Sequence, residues 1–444
     1  MTIMNNSKKS WSKVTLETVQ WFVFLLASAV TLPIVIGAIF DLNFTEVAGL
    51  MQRTFFAVGI TSVLQGIFGH RLPIMEGPAG LWISIFAVMA YSEVAAGKSY
   101  IETLQTLEAA MIWTGVFLFI FGIFRLAHRV LFVFTPLVTG AFLFLITVQL
   151  SGTFLKGMIG VQQQAEAIQV DKTILAFLTF FLVIGLSFFG KGWLKGYAVL
   201  IGIVVGWVLY VAWIGSRPVD SLLVSDGFNV PDLWVWGHPN FEWSVIPLAF
   251  ITAVILLSNL VASVVAVSHS IYGKPSYGYS QLNRGSSFLG INHVISAMFS
   301  SVANVSLASS SGFINLTGQK SKRPFLYASL LLVAVAFFPP VVAFISAIPA
   351  PIANAALLAT FVQLMGLGIS NMASEELNER RLTILGISFL LGIGIMFLPA
   401  EVFQGMPSIA QNLLSNGLLV GTVLVILLEQ LWKEVPGASK SNNV

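Results

Sequence analysis

One acidic residue stands out because the sequence on both sides of it is strongly apolar. Glu76 lies in the stretch RLPIMEGPAGLW, residues 71–82, together with two prolines and two glycines. A carboxyl group inside a membrane is energetically costly, and such groups commonly bind ligands or exchange protons. Glu76 is therefore a candidate proton-exchanging group. The alternative is a solvated acid in a loop near the cytoplasmic surface.

A second group of polar residues lies in the apolar stretch LLSNLVASVV. Asn259 and Ser263 are spaced i, i+4 and share one face of a helix, with Ser258 beside them. An asparagine amide offers a donor and an acceptor in one plane, which suits the edge of a planar base. The same side chains could instead form hydrogen bonds between helices, and the sequence leaves both interpretations open.

A third group is the run of serines at residues 309–311, which opens a short apolar segment ending in a basic cluster at residues 320–323. Serines at the start of a helix commonly cap it. They could equally face a cavity that the helix start lines. We favour the cavity, because residues 71–82 open a similar short segment elsewhere in the chain.

The composition is typical of a protein that crosses a membrane many times. Of 444 residues, 57% are hydrophobic and 9% are charged, whereas soluble chains average about 25% charged residues. The net charge of +3, without a long basic run, argues against nucleic acid as a partner. The chain has no cysteine, which excludes disulfides and thiolate metal sites.

Catalytic and metal-binding motifs are absent from the sequence. The five histidines have no metal-ligand or triad spacing, and no phosphate-binding loop or nucleophile elbow occurs. We therefore expect no enzyme activity, no resident metal and no cofactor. Each histidine, including His70 and His293, is expected to be structural or solvated.

Hydropathy predicts fourteen membrane crossings. Three segments are short or weakly apolar, namely 78–91, 285–301 and 307–319, and the others approach the 20 or so residues that a spanning helix needs. These others are 17–39, 47–69, 106–127, 130–151, 173–190, 194–214, 245–268, 325–347, 351–369, 381–399 and 408–432. With both termini in the cytoplasm, seventeen of the 22 Lys and Arg residues lie on the cytoplasmic side, as the positive-inside rule requires.

Two of the short segments share one design. A helix over residues 78–91 would rise about 21 Å, less than the roughly 30 Å of the hydrocarbon core. We expect residues 72–77 to run extended and supply the missing depth, with Pro78 in the first helical turn. Ser309 follows Pro78 by 231 residues, and a similar offset relates the flanking spans. The chain therefore reads as two inverted halves of seven spans, a pattern in which paired broken segments mark a transport site.

Three stretches resemble signatures of the nucleobase–ascorbate transporter family. QWFVFLLASAVTLPIVIG, residues 20–37, is similar to the first-span signature, and RLPIMEGPAGLW is similar to the third-segment pattern. Residues 282–323 align without a gap to the ninth and tenth segments. The order and spacing of these stretches carry the resemblance, which covers most of the chain.

The resemblance implies an all-α fold with a 7+7 inverted repeat, broken at spans 3 and 10 into a strand and a half-helix. It also implies a core domain that moves like an elevator against a gate domain, and a homodimer formed through the gate domain. The implied divisions are core residues 1–128 and 245–349, gate residues 129–215 and 350–433, an extracellular loop at 216–244 and a cytoplasmic tail at 434–444.

The resemblance also implies a set of substrate-contacting positions, which departs from the family where carboxylates are usual. The eighth-span Glu falls on Asn259, and the tenth-segment Glu falls on Ser309. Because both acids are missing, we predict that Glu76 takes over proton coupling. The full predicted set is Ser28, Glu76, Gly77, Ala79, Gly80, Ser258, Asn259, Ser263, Leu307, Ser309, Ser310 and Ser311.

Two functions are compatible with these residues. The first is a proton-coupled secondary active transporter for a nucleobase, a purine such as xanthine or urate, or else uracil. The second keeps the fold and changes the ligand to a small anion, as in sulfate-permease-like transporters, which bind it between two half-helix amino termini. Asn259 and Ser309 would tolerate an anion, whereas Glu76 disfavours one.

Overall fold

The computed structural model describes residues 11–78, 80–95, 97–126, 135–161, 167–215, 227–274, 277–403 and 405–432. Among the predicted site residues, Ala79 lies outside these ranges. The whole predicted cytoplasmic tail and the first part of the predicted extracellular loop also lie outside them. The described chain is mostly helical, with two short strands near its centre.

The helices and strands divide at the loop that precedes residue 243. Before it lie α1 (Trp11–Ile39), α2 (Phe44–Ile67), β1 (Glu76–Pro78), α3 (Gly80–Ala95), α4 (Tyr100–Ile123), α5 (Pro136–Met158), α6 (Val170–Phe189), α7 (Trp193–Gly196) and α8 (Ala198–Ile214). After it lie α9 (Ile246–Tyr272), α10 (Tyr279–Met298), β2 (Asn304–Ser306), α11 (Ser309–Thr317), α12 (Lys322–Ala336), α13 (Pro339–Ser346), α14 (Ala350–Met372), α15 (Glu379–Met396), α16 (Ser408–Leu414) and α17 (Gly417–Leu431). Short 3₁₀ turns span Trp243–Val245 and Ala400–Phe403.

Length and composition identify the membrane-crossing helices. Seven helices in the described ranges are long and apolar enough to cross a membrane, and α12 with α13 would make an eighth as one bent span. Every segment that hydropathy predicted is helical over most of its length, including the three weak ones. The prediction of a helical protein with many apolar spans is confirmed.

Two predicted continuous spans are broken in the structure. The predicted helix at 325–347 is α12 followed by α13, bent by 94°. The break falls at Pro339, because a proline begins a helix easily but cannot continue one. The predicted helix at 408–432 is α16 followed by α17, and Asn416 at the junction accepts a hydrogen bond from the Leu419 N–H.

Several helix starts follow from capping residues in the sequence. Asn43 and Glu46 form a reciprocal capping box at the start of α2, and Ser99 and Glu102 form another at α4. Thr135 caps α5, whose first residue is a proline. Each cap supplies an acceptor to an N–H group that the helix itself leaves unpaired.

The segment before β1 differs from its prediction. Residues 72–77 were expected to be extended, but the Ile74 N–H donates to the Leu72 carbonyl, so Leu72–Ile74 forms a tight turn. Arg71, just before it, has a φ of 61°, which reverses the chain after α2. Pro78 ends β1 instead of beginning α3, because its fixed φ suits a strand end as well as a helix start.

Helices α4 and α10 approach each other closely along glycines. A Cβ atom added to Gly290 would lie 2.4 Å from the Gly115 carbonyl oxygen, and one added to Gly115 would lie 2.7 Å from the Gly290 carbonyl oxygen. Small residues at such a crossing allow two backbones to meet, which is a common way for helices to associate in membranes. This contact fixes α10 next to the strands.

We predict that Gly290→Val lowers the free energy of unfolding by about 1–3 kcal/mol, since overpacking pushes α4 and α10 apart. Thermal unfolding of the purified protein measures this change. Gly185→Val on α6 is the matched control, because no atom lies within 4 Å of a Cβ added there. Equal melting temperatures for both variants would contradict the close α4–α10 contact.

Candidate functional site

The two strands β1 and β2 pair with each other inside the protein, and we call this pair the crossing. β1 and β2 pair antiparallel, with Glu76 opposite Ser306, Gly77 opposite Val305 and Pro78 opposite Asn304. The Leu307 N–H extends the pairing by donating to the Met75 carbonyl at 2.9 Å. The helices α3 and α11 begin within three residues of the ends of their strands. The crossing therefore presents two helix amino termini, each with a partial positive charge. At α11, the Ser310 and Ser311 N–H groups donate to the Leu307 and Ala308 carbonyls.

Alternation along the strands gives the crossing two faces. We call the face that carries the Glu76 and Ser306 side chains the back face, and the opposite face, with Gly77 and Leu307, the front face. At Gly77 the Leu307 side chain packs over the front face, because an added Cβ would lie 2.6 Å from Leu307 Cδ1. Leu307 itself is half-buried.

On the back face, the Glu76 carboxylate is enclosed by hydrogen-bond donors. Its side chain has 0% exposed surface. The Ser306 hydroxyl donates to Glu76 Oε1 at 2.5 Å, and the Asn292 amide donates to Oε2 at 3.2 Å. The Glu76 backbone N–H donates to the Ser62 hydroxyl at 3.0 Å. Glu76 is thus a buried acid between β2, α2 and α10, and the alternative of a solvated loop acid is wrong.

His70 completes the surroundings of Glu76. The imidazole Nε2 lies 3.4 Å from Glu76 Oε1, and His70 is also fully buried. The Leu72 backbone N–H donates to the other ring nitrogen, Nδ1, at 3.1 Å. The Gln281 amide on α10 donates to the His70 carbonyl at 2.6 Å. The turn after α2 is therefore fixed so that its histidine faces the acid.

Two polar residues of helix α9, Asn259 and Ser263, form hydrogen bonds to β2. The Asn259 amide donates to the Ser306 carbonyl at 3.0 Å, and the Ser263 hydroxyl donates to the same oxygen at 2.7 Å. The predicted sharing of one helix face is confirmed. Asn259 is only half-buried, so part of its amide remains open to a neighbouring space.

The serines at the start of α11 do not cap that helix. The capping position is Ala308, and no side chain there accepts a hydrogen bond from the first turn. Ser310 is buried, and its hydroxyl accepts a hydrogen bond from the Met75 N–H at 3.0 Å, which joins α11 to the chain before β1. Ser309 is exposed and Ser311 is half-buried.

The remaining predicted site residues are Ser28, Gly80 and Ser258. The Ser28 hydroxyl donates to the Phe24 carbonyl within α1. A Cβ on Gly80, at the start of α3, would lie 3.3 Å from Phe361 on α14, so α3 begins against the second half of the chain. Ser258 is half-buried beside Asn259.

Two buried pairs hold the site elements in place. The Trp82 indole N–H on α3 donates to His293 Nε2 on α10 at 3.1 Å, and the His293 Nδ1 lies 2.8 Å from the Leu289 carbonyl. Before β2, the Ser300 hydroxyl donates to the buried Glu108 carboxylate at 2.6 Å. These contacts anchor α3 and the turn before β2 to the helices behind them.

The family follows from comparison with known proteins. A family model described as the permease family matches residues 12–401. The chain belongs to this permease family. It is 31% identical over 442 residues to the putative purine permease YwdJ of Bacillus subtilis (strain 168), covering 97% of this chain and 98% of that protein. It is 26% identical over 431 residues to the uric acid permease PucJ of the same organism, covering 95% of this chain and 93% of that protein.

Solved structures show the same fold. The transmembrane domain of the cyanobacterium bicarbonate transporter BicA matches with a TM-score of 0.60 at 14% identity, covering 94% of this chain and 99% of that one. SLC26A9 matches with a TM-score of 0.63 at 12% identity, covering 95% of this chain and 66% of that one. The permease is thus an integral membrane transporter and not an enzyme, as the sequence resemblance implied.

Four residues around Glu76 were not in the predicted site, namely Ser62, His70, Asn292 and Ser306. Each is a polar residue in or next to an apolar segment, which was a signal, since buried polar groups need partners. Asn292 and Ser306 lie more than 200 positions from Glu76 in the chain, so only the folded structure reveals these contacts.

We predict that Ser263→Ala weakens the attachment of β2 to α9 and lowers the free energy of unfolding by about 0.6 kcal/mol, the average for such hydrogen bonds in membranes. Thermal unfolding in detergent measures the change. Ser258→Ala is the control, because Ser258 is a neighbour on α9 that does not share the Ser306 carbonyl. A larger loss for Ser258→Ala than for Ser263→Ala would refute the assignment.

Proposed function

We propose that this permease is a secondary active transporter for a purine base such as xanthine or urate, with uracil as the other candidate base. The names of its relatives support this proposal, since they include a putative purine permease, a uric acid permease and a xanthine permease. The relatives match nearly the whole chain, so the proposal concerns the entire protein and not one part of it.

The base is proposed to bind on the front face of the crossing. Asn259, whose amide donates to the Ser306 carbonyl, is half-buried, Leu307 is a half-buried apolar side chain, and Ser309 is exposed at the start of α11. A base presents a flat apolar face and a polar edge, which these three side chains match. The partial positive charge at the amino termini of α3 and α11 would attract the exocyclic oxygens of an oxopurine.

The finer architecture is part of this proposal. We propose fourteen spans in two inverted halves, a core and a gate domain with the predicted boundaries, cytoplasmic termini, and a homodimer. The antiparallel crossing supports the inverted repeat, because each strand leads into a half-helix and Gly77 lies opposite Val305. The approach of α3 to Phe361 on α14 supports a core that slides against a gate.

Glu76 is proposed to carry the co-transported proton. Its carboxylate is bonded to Ser306 and Asn292 and has no exposed surface. Two roles were predicted for Glu76, proton coupling and direct contact with the base. Its burial supports proton coupling more than contact with the base. Neutralising a buried charge lowers the cost of moving the surrounding domain within the membrane.

A small anion is the second candidate substrate. The observation that favours it is the exposed Ser309 at a helix amino terminus, together with the absence of a carboxylate at positions 259 and 309. An anion at that amino terminus would be stabilised by the helix dipole. The bicarbonate transporter BicA supports this only at the level of fold.

We predict that unlabelled xanthine and urate, added in excess, compete with radiolabelled xanthine for uptake into cells that express the protein. Sulfate and bicarbonate should leave xanthine uptake unchanged, because the front face is expected to recognise a planar base. An uninduced culture is the control for background uptake. Labelled sulfate uptake without xanthine uptake would overturn the purine assignment in favour of an anion.

We predict that Glu76→Gln abolishes accumulation driven by a pH gradient, because the amide cannot exchange a proton. A symporter of one proton and one neutral base concentrates the base up to about tenfold per pH unit, since one unit equals about 1.36 kcal/mol. Uptake into proteoliposomes with an imposed gradient measures this ratio.

The matched control is Glu376→Gln, which removes an exposed acid between α14 and α15. It should accumulate the base as the parent protein does. Gradient-driven accumulation by a folded Glu76→Gln variant would exclude Glu76 as the proton carrier.

A further inference from the structure

The contacts of Glu76 differ between its two carboxyl oxygens. The Ser306 hydroxyl and His70 Nε2 lie next to Oε1, and the Asn292 amide nitrogen donates to Oε2. An amide nitrogen can only donate, so in this arrangement Oε2 is an acceptor and the hydrogen bond to Asn292 leaves no place for a proton on it.

The tautomer of His70 follows from its second ring nitrogen. Nδ1 accepts a hydrogen bond from the Leu72 backbone N–H, so the ring hydrogen lies on Nε2. The imidazole thus directs its Nε2–H at Glu76 Oε1.

The two oxygens of Glu76 consequently differ in their ability to take a proton. Oε1 already faces the Ser306 hydroxyl and the His70 N–H, and both remain satisfied if Oε1 becomes the carbonyl oxygen of an acid. Among the residues that the structure describes, the Asn292 amide is the one hydrogen-bond partner of Oε2. A proton on Oε2 then requires one change, the replacement of the Asn292 donor by an acceptor.

Asn292 itself carries such an acceptor, its amide oxygen. Its amide nitrogen donates to Glu76, while its amide oxygen is buried and has no hydrogen-bond partner among the described residues. A buried amide oxygen without a partner is costly and calls for an explanation. Rotating the planar amide by half a turn exchanges its oxygen and nitrogen, because the two ends have nearly the same shape.

We propose that Asn292 is a two-state positioning residue that follows the protonation of Glu76. A proton from water binds Oε2 and forms an O–H bond, the negative charge of the carboxylate is removed, and the amide turns so that its oxygen accepts the new O–H. Release of the proton to water reverses both changes. This inference rests on the proposed proton role of Glu76.

The neighbours of the pair carry no other charge. The polar side chains that contact Glu76 or His70 from α2, β2 and α10 are Ser62, Gln65, Ser306, Gln281 and Asn292. All are uncharged, so within the described contacts the charge of the cluster depends on Glu76 and His70 alone. Because both are fully buried, exchange with water needs a conformation that opens the crossing.

Infrared difference spectra of the purified full-length protein in lipid nanodiscs, taken between high and low pH without substrate, test the proposal. We expect a protonated-carboxyl band that Glu76→Gln removes, at the lowered frequency of a hydrogen-bonded acid. In Asn292→Leu the same band should move to the higher frequency of a free acid. Asn283→Leu is the control, because Asn283 is a buried amide on α10 that does not contact Glu76.

Asn292→Asp provides a second test if the leucine variant does not fold. Two facing carboxyls share one proton, so the protonated band should persist to at least tenfold lower proton concentration than in the parent. An unchanged pH range in this variant, or an unchanged band in Asn292→Leu, overturns the role of Asn292. The absence of any band that Glu76→Gln removes overturns the proton role of Glu76 itself.

Discussion

The architecture depends on the pairing of two strands of three residues each inside an otherwise helical membrane protein. Extended backbone exposes polar groups that lipid cannot satisfy, so it persists only where protein supplies partners. β1 and β2 satisfy each other, and side chains from the surrounding helices complete the pairing. Ser62, Ser263 and Ser310 each bond a backbone group at or next to the crossing. Without those bonds, neither half-helix would begin at the centre of the molecule.

In the proposed function, the two faces of the crossing have different chemical tasks. Because strand side chains alternate, Glu76 and Ser306 face the buried helices behind the strands, whereas Gly77 and Leu307 face forward. The front can therefore suit a neutral base while the back keeps an acid away from it. The proton on Glu76 and the base on the front face would then not touch each other. They would be coupled through the backbone of the three-residue strands.

Hydropathy and helical periodicity, which are local, predicted the apolar helical spans and the shared face of Asn259 and Ser263. Helix length and proline placement predicted an extended lead-in to the first broken segment, and the family resemblance implied a strand and a half-helix at both segments. The tight turn at Leu72 and the contacts of Asn292 were not predicted, because they depend on strand register and on helices far apart in the chain. The sequence singled out Glu76 because the carboxylates usual in the family are missing at Asn259 and Ser309. The residues that surround Glu76 are far from it in the chain, so only the folded structure identifies them.

The account places the base and the proton on opposite faces of the crossing. The most direct test of this claim is a cryo-electron microscopy structure of the protein with xanthine bound. The account predicts density for the base on the front face, in contact with Asn259, Leu307 and Ser309, with Glu76 still enclosed by Ser306 and Asn292. Density for the base on the back face, bonded to the Glu76 carboxylate, would contradict it.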